Sequence, residues 1–304
     1  MTGKRPELLF RLSAAAVAAI AAAVAAAVAV AAVRRTDSSG GCAPGAEPEA
    51  PRIVSFVPAA TETAFALGLG PYVVGRSRFC DHPPEVAGIE AVGDLMTLSE
   101  SSVERLRPTH ALLYSAKSSG QTPFLRALGV EIVECGATGV ESVVAVADRL
   151  GDAFPAFTNG FAAGPWRGKM EALAAAPPPG PGAPAALVVV SRPETRWSDV
   201  FAAGGDTFYE PVLRAAGYSN VLSEVHGYPV LDPARVRALA PEIVFDLRPG
   251  AEPDPEETGF WSGPLPDARV AVVRDAAAVR PGPRLVDLPA LFRQAAAGPT
   301  GDFQ

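Results

Sequence analysis

The chain has 304 residues, 48% of them hydrophobic and 19% charged, with a formal net charge of -7. That size and composition allow one large buried core or two ordinary ones. The acidic balance and the lack of any Lys/Arg run exclude the basic surface that nucleic-acid binding requires, so nucleic acid is not an expected partner.

Residues 12–33, LSAAAVAAIAAAVAAAVAVAAV, are uncharged and long enough to cross a bilayer as a helix, which takes about 20 residues. Lys4, Arg5 and Arg11 precede them and Arg34 and Arg35 follow, a balance that favours an exported main domain. Three readings of this end stay open. Residues 1–35 are a retained transmembrane anchor, or a signal segment cleaved at a small-x-small site such as Ala29-Val30-Ala31. The third is lipidation at Cys42, against which stand Ser39 three places before it and the intervening Arg34, Arg35 and Asp37. Each delivers the domain across the membrane, to a periplasmic or other extracytoplasmic location. Residues 36–51, rich in Gly, Pro and Glu, form a tether.

The domain proper opens on IVSFVPAATETAFALGLG, residues 53–70: a strand at 53–57, a break at Pro58, and a helix from Thr61 to Gly68. Such strand-to-helix junctions hold ligands in α/β proteins, because the first helical turn offers unpaired backbone N–H groups; the alternative is an ordinary tight turn. Strand 72–76, helix 101–107, strand 110–115, helix 122–128 and strand 131–135 follow, separated by Gly, Pro, Asp or Ser. Ser101-Ser102-Val103-Glu104 fits a capping box. This βαβ rhythm implies a mostly parallel, covered sheet and defines an N-terminal lobe at 52–138.

Residues 139–184 carry helical periodicity without a strand, with breaks expected at Pro155 and Gly164-Pro165, and end in the stiff connector PPPGPGAP. A second alternating set fills 185–298: strand 186–190, helices 207–216 and 233–239, strands 243–247 and 270–273, and helix 285–296. VERLRPTHALL from Val103 and VRALAPEIVFD from Val236 share Val, Leu and Pro at identical offsets. Two similarly built lobes with a cleft between them is the simplest inference.

Gly68-Leu69-Gly70 ends a helix and has Val73 where a dinucleotide fingerprint needs its third glycine, so these are capping glycines. No P-loop, GxSxG elbow, HExxH or CxxC is present, which leaves an enzymatic reading without support. His110 begins a strand and reads as structural. His82 and His226 fall in loops near the cleft, as metal or haem ligands or as surface histidines. Cys80 and Cys135 are either a disulfide pair or two separately buried thiols.

The stretch RIVSFVPAATETAFALGLGPYVVGRSRFCDHPPEV, with LRPTHALLYS, FLRALGVEIVE, FAAGGDTFYEPVLRAAGYSNV and LAPEIVFDL, resembles the helical-backbone substrate-binding proteins of ABC importers. Within that family it is most similar to the vitamin B12 (cobalamin) receptors, whose relatives bind siderophores, haem and other iron complexes. The resemblance covers residues 52–296. It implies an α/β fold of two Rossmann-like lobes with mostly parallel sheets, bridged by a long helix within 139–184, and a monomer that hands its ligand to a permease. It also implies that Pro58, Ala59, Ala60 and Thr61 form one wall of the cleft.

Loops at the carboxyl ends of the predicted strands add Phe79, Asp81 and His82, then Lys117, then Arg192 and Trp197, with Trp261 further on. Their aromatic members would stack on a corrin or haem and their polar members would meet its amides or carboxylates. Family members dock through an acidic residue on each lobe. Here Ser101 and Ala234 stand at those places, with Glu100 and Asp232 nearby as the candidate docking acids. The expectation is therefore an extracytoplasmic binding protein for a cobalamin-like or iron-chelate ligand. A membrane-tethered sensor that kept the fold and lost its permease is the alternative, with an extracytoplasmic α/β enzyme third.

Overall fold

A computed structural model of the chain describes residues 49–94, 96–117, 119–158, 165–193, 197–251 and 259–298. The segment 12–33 and Cys42 lie outside these; among the described residues no helix is long and apolar enough to cross a membrane.

In the first lobe, β1 (Ile53–Ser55), β2 (Val73–Ser77), β3 (Ala91–Gly93), β4 (His110–Leu113) and β5 (Glu131–Glu134) form a sheet in the order β3-β2-β1-β4-β5. All its pairings are parallel. The strand order reverses between β1 and β4, and open α/β sheets bind ligands beyond the carboxyl ends of the strands at such a switch.

In the second lobe, β6 (Ala185–Ser191), β10 (Ile243–Leu247) and β11 (Arg269–Val273) run parallel in the order β11-β10-β6. Two short strands, β7 (Val200–Ala202) and β9 (Val230–Leu231), extend the far edge in antiparallel fashion, and β8 (Ser219–Asn220) pairs with β6. Because β7 and β9 are only two or three residues long, no alternation in the sequence announced them.

The central strands are buried on both faces, and their side chains divide by parity. Ala186, Val188, Ile243, Phe245 and Leu247 enter one cluster, while Leu187, Val189 and Val244 enter another on the opposite face. The first cluster does not stop at the lobe boundary. It also contains Ile53, Ala60 and Leu67 of the first lobe, and Val143, Leu150, Met170 and Leu173 of the intervening helices.

Helix α1 (Pro58–Ala66) begins at Pro58, one turn earlier than the sequence suggests. Proline at the first helical position has no N–H to lose and a φ already suited to the helix, so the residue that ends the strand also opens the helix. The helix closes with Gly68 at φ 85°, as the capping reading requires. Helix α2 (Glu100–Leu106) begins at Glu100, one residue before the predicted 101; Ser99 is its cap residue, with Oγ 3.0 Å from that of Ser102, so the Ser101/Glu104 capping box is not formed. Helix α3 (Thr122–Ala127) connects β4 to β5.

The middle of the chain is not one long helix. Helix α4 (Val140–Ala153) ends when Phe154 leaves helical geometry (φ -130°, ψ 50°), the expected behaviour of a residue preceding proline. Helix α5 (Pro165–Ala174) then lies against α4, with the Arg167 guanidinium donating to Asp148 Oδ1 at 2.7 and 2.8 Å. Helices α6 (Tyr209–Ala216), α7 (Pro233–Leu239), α8 (Gly259–Ser262) and α9 (Leu288–Ala297) complete the second lobe.

Candidate functional site

Seven large hydrophobic side chains among the described residues are exposed; three follow strand ends of the first lobe and three lie on or beside the β7–β9 pair of the second. Phe79, Met96 and Tyr114 follow the carboxyl ends of β2, β3 and β4. Phe201 and Val230 face each other across the β7–β9 pair, and Tyr228 stands just before β9. Leaving such groups in water forfeits roughly 1.5–3 kcal/mol each, so exposed rings at strand tips of both lobes are candidates for a surface that a ligand covers. Burial, then the Tyr114 hydroxyl and the Asp206 carboxyl, push the Tyr228 phenol up from its ordinary value. Tyr114 of the first lobe and Tyr228 of the second therefore lie within electrostatic reach of each other.

The loop carrying Tyr228 is held by Gly204-Gly205-Asp206. Gly204 N donates to Gly227 O and Gly205 N to Val225 O, both at 2.8 Å. A Cβ on Gly205 would stand 1.8 Å from Ser223 O, and one on Gly204 would stand 2.2 Å from Val225 O, so only glycine admits this approach. Asp206 Oδ1 then accepts from Gly227 N at 2.5 Å, and Oδ2 lies 3.3 Å from His226 Nδ1. A motif that reads in sequence as a helix start is a clamp for a loop.

The Pro58–Thr61 junction has another neighbour. Ala59, Ala60 and Thr61 are buried, and Pro58 keeps partial exposure. The backbone of Gly282, from the second lobe, comes so close that a Cβ there would sit 3.6 Å from Ala59 Cα. Beside it, Arg284 grips the buried Glu62 carboxylate through Nε (2.9 Å) and Nη2 (2.7 Å). Arg280 pairs with Asp81, Nη2 to Oδ2 at 2.9 Å, and holds that carboxyl below its ordinary range. The junction is thus largely a seam between the lobes. Thr61 Oγ1 lies 2.8 Å from Ser55 Oγ and 3.1 Å from Cys80 Sγ, turned inward and away from any ligand.

Of the remaining expected contacts, Phe79 and Lys117 are exposed at strand ends and His82 is partly exposed before Pro83. Arg192 and Trp261 are not offered to a ligand. Arg192 Nε donates to Asp246 Oδ2 at 2.6 Å and Trp261 Nε1 to the same oxygen at 2.9 Å, with both ionic side chains at 1% exposure or less. A carboxylate buried in β10 must be compensated, and these two residues do so. The Arg192 guanidinium also lies over the Phe260 ring at 4.0 Å. Trp197 packs edge-on against Phe260 and Trp261, each at 5.2 Å, and is half-buried. Glu100 is exposed at the start of α2; Asp232 is exposed as the cap of α7, accepting from Arg235 N at 2.7 Å.

Sequence reasoning passed over Tyr114, Met96, Phe201, Tyr228 and Arg280. Tyr114 was within reach of the strand-end rule, but the apolar run extended the predicted strand to 115 and hid it inside. Cys80 and Cys135 are free thiols buried in different surroundings, Cys80 against Thr61 and Cys135 3.5 Å from Val133 O. Among the described residues no group of three or more His, Cys, Asp or Glu could hold a metal ion.

No family model matches the chain. The vitamin B12-binding protein of Salmonella paratyphi A is 32% identical over 95 residues, 31% of this chain but only 35% of that protein. The vitamin B12-binding protein of Photorhabdus laumondii is 25% identical over 239 residues, 77% of this chain and 84% of that protein. Among solved structures, the periplasmic haem binding protein of Vibrio cholerae superposes with a TM-score of 0.66 at 18% identity, covering 82% of this chain and all of that one. The chain has the two-sheet α/β fold of the periplasmic solute-binding proteins. In sequence it is similar to vitamin B12-binding proteins, over 77% of its length in the longer of these two matches.

Proposed function

We propose that the chain is an extracytoplasmic substrate-binding protein that captures a cobalamin-like corrinoid or an iron chelate, such as haem or a ferric siderophore, for ABC-type import. The observation that carries this reading is the set of exposed apolar side chains that both lobes contribute at or beside their strand ends. Flat faces of a macrocycle would be taken between these rings, and Lys117, exposed beside Tyr114, would meet peripheral amides or carboxylates. The names of the relatives support the ligand class, and the absence of any nucleophile–base spacing in the sequence supports binding over turnover.

Glu100 and Asp232 open helices at corresponding places in the two lobes, each helix leading into a central strand, β4 or β10. They are the acids that would meet arginines of a permease. The apolar stretch at 12–33 would tether the protein to the membrane or direct its export.

Absorbance titration with cyanocobalamin and with haemin tests the reading. Phe79→Ala combined with Tyr228→Ala removes one ring from each lobe; at about 1–2 kcal/mol each, affinity for whichever ligand binds should fall roughly 30- to 1,000-fold. Unchanged affinity in the double variant would move the site elsewhere.

A further inference from the structure

We propose that Met96 is an oxidation site through which hydrogen peroxide lowers the protein's affinity for its ligand. The effect on affinity rests on the proposed function; the selectivity of the reaction does not. Met96 is 91% exposed, the most open of the large hydrophobic side chains among the described residues. The other sulfurs among them are shut away, Met170 and Cys80 at 0% exposure and Cys135 at 1%. Peroxide therefore meets a single accessible sulfur among the described residues.

The exposure is not that of a loose loop. Asp94 Oδ1 accepts from both Met96 N and Thr97 N at 2.7 Å, and Asp94 N donates to Thr97 O at 2.6 Å. Gly93, at φ 128°, comes so close to Thr97 O that a Cβ there would stand 2.1 Å from it, and the turn admits no side chain at that position. From outside the turn, Gln121 Nε2 donates to Asp94 O, and Arg78 Nη2 donates to Asp94 Oδ2 and, at 3.0 Å, to Thr97 Oγ1. The Thr97 and Met96 N–H groups, in that order, hold the Asp94 carboxyl at about 2, so the clamp stays ionised through the neutral range. A backbone fixed in this way presents its side chain to solvent.

Contacts also place Met96 beside a ring assigned to the ligand. Strands β2 and β3 are paired neighbours, with Ser77 opposite Gly93, and the Arg78 guanidinium that grips Asp94 lies 5.6 Å from the centre of the Phe79 ring. One cation thus joins the turn of Met96 to the aromatic side chain at the adjoining strand tip. A flexible, polarisable thioether there gives a rim that adapts to an apolar ligand edge. Oxidation removes that property. The sulfur lone pair attacks one peroxide oxygen, the O–O bond breaks, and a sulfoxide and water form; sulfur loses two electrons and the peroxide gains them. The sulfoxide is polar and hydrated, so covering it with a macrocycle carries a desolvation cost that covering the thioether did not.

The test treats the purified protein with hydrogen peroxide, maps it by peptide mass, and titrates it by absorbance with haemin and with cyanocobalamin. The peptide carrying Met96 should gain one oxygen well before the peptide carrying Met170, and affinity for whichever probe the untreated protein binds should fall about tenfold. Methionine sulfoxide reductase should restore that affinity, and Met96→Leu, whatever its own affinity, should keep it through the treatment. Oxidation of Met170 before Met96, or complete oxidation of Met96 with unchanged affinity, would overturn the inference and leave the proposed function standing. A loss of the same size in treated Met96→Leu would assign the damage elsewhere and overturn it too. Binding of neither probe by the untreated protein would count against both readings. Because the Met96 side chain is exposed, oxidised and untreated protein should melt together, which separates a lost contact from a lost fold.

Discussion

Replacing Arg192 with methionine isolates the energetics of the second lobe. Arg192 and Asp246 have side-chain exposures of 1% and 0%, and one Asp246 oxygen, Oδ2, accepts from both Arg192 Nε and Trp261 Nε1. Methionine fills most of the arginine's volume but leaves a carboxylate in the core with one donor fewer. Breaking a buried pair from one side costs about 3–5 kcal/mol. For a domain of this size each kcal/mol lowers Tm by about 2–4 °C, so Arg192→Met should melt roughly 6–20 °C below wild type. Replacing both partners, Arg192→Met with Asp246→Leu, removes the charge that was stranded and should recover most of the loss. Thermal denaturation followed by circular dichroism reads all three proteins. If the single variant melts within about 2 °C of wild type, Asp246 is not a buried anion that depends on Arg192, and the assignment of both arginine and Trp261 to the core is wrong.

Gly205→Ala should cost about 1–3 kcal/mol, because its Cβ would overlap Ser223 O, and should speed hydrogen exchange at Gly204 and Gly205 before exchange elsewhere changes; protection equal to wild type would mean the loop is not clamped there. Cys135 is pushed up to about 12 by burial, and Cys80 is raised mainly by the same cause, so neither thiol should react with a thiol reagent at pH 8 until the protein is unfolded, whereupon both should. Solution scattering should show little compaction on ligand addition in the wild type. Arg284→Met, which strips Glu62 of its bidentate partner, should make the change measurable, and identical scattering for the two proteins would deny the seam any part in holding the lobes.

Most of the lobe framework was legible because its signal is local. Parallel strands buried on both faces are short apolar runs, and the punctuation by Gly, Pro and Asp fell where the chain turns. What depended on distant partners was not legible. Arg192 and Trp261 follow or adjoin strand ends just as ligand contacts would, and only Asp246, brought to them by the pairing of β6 with β10, turns them into core residues. Glu62 finds its partner in Arg284, 222 residues away in the chain, a pairing that no local window of sequence contains. Phe201 sits on a three-residue strand that exists because β9 returns to pair with it, and no window of sequence around Phe201 contains that fact. The long connecting helix was implied by kinship, and Pro155 decided otherwise.

The apolar cluster that runs from Ile53 through Leu150 and Met170 to Phe245 and Phe292 has a consequence for how such a molecule can change. A fragment ending near residue 138 would leave its part of that interior facing solvent, so neither lobe is expected to survive as an independent module or to be exchanged for a foreign one. The spacing between the two halves is inherited from close packing and not set by a joint. Adaptation to a new cargo is therefore channelled into the turns at the strand tips, where a ring can be traded for another without disturbing anything beneath it.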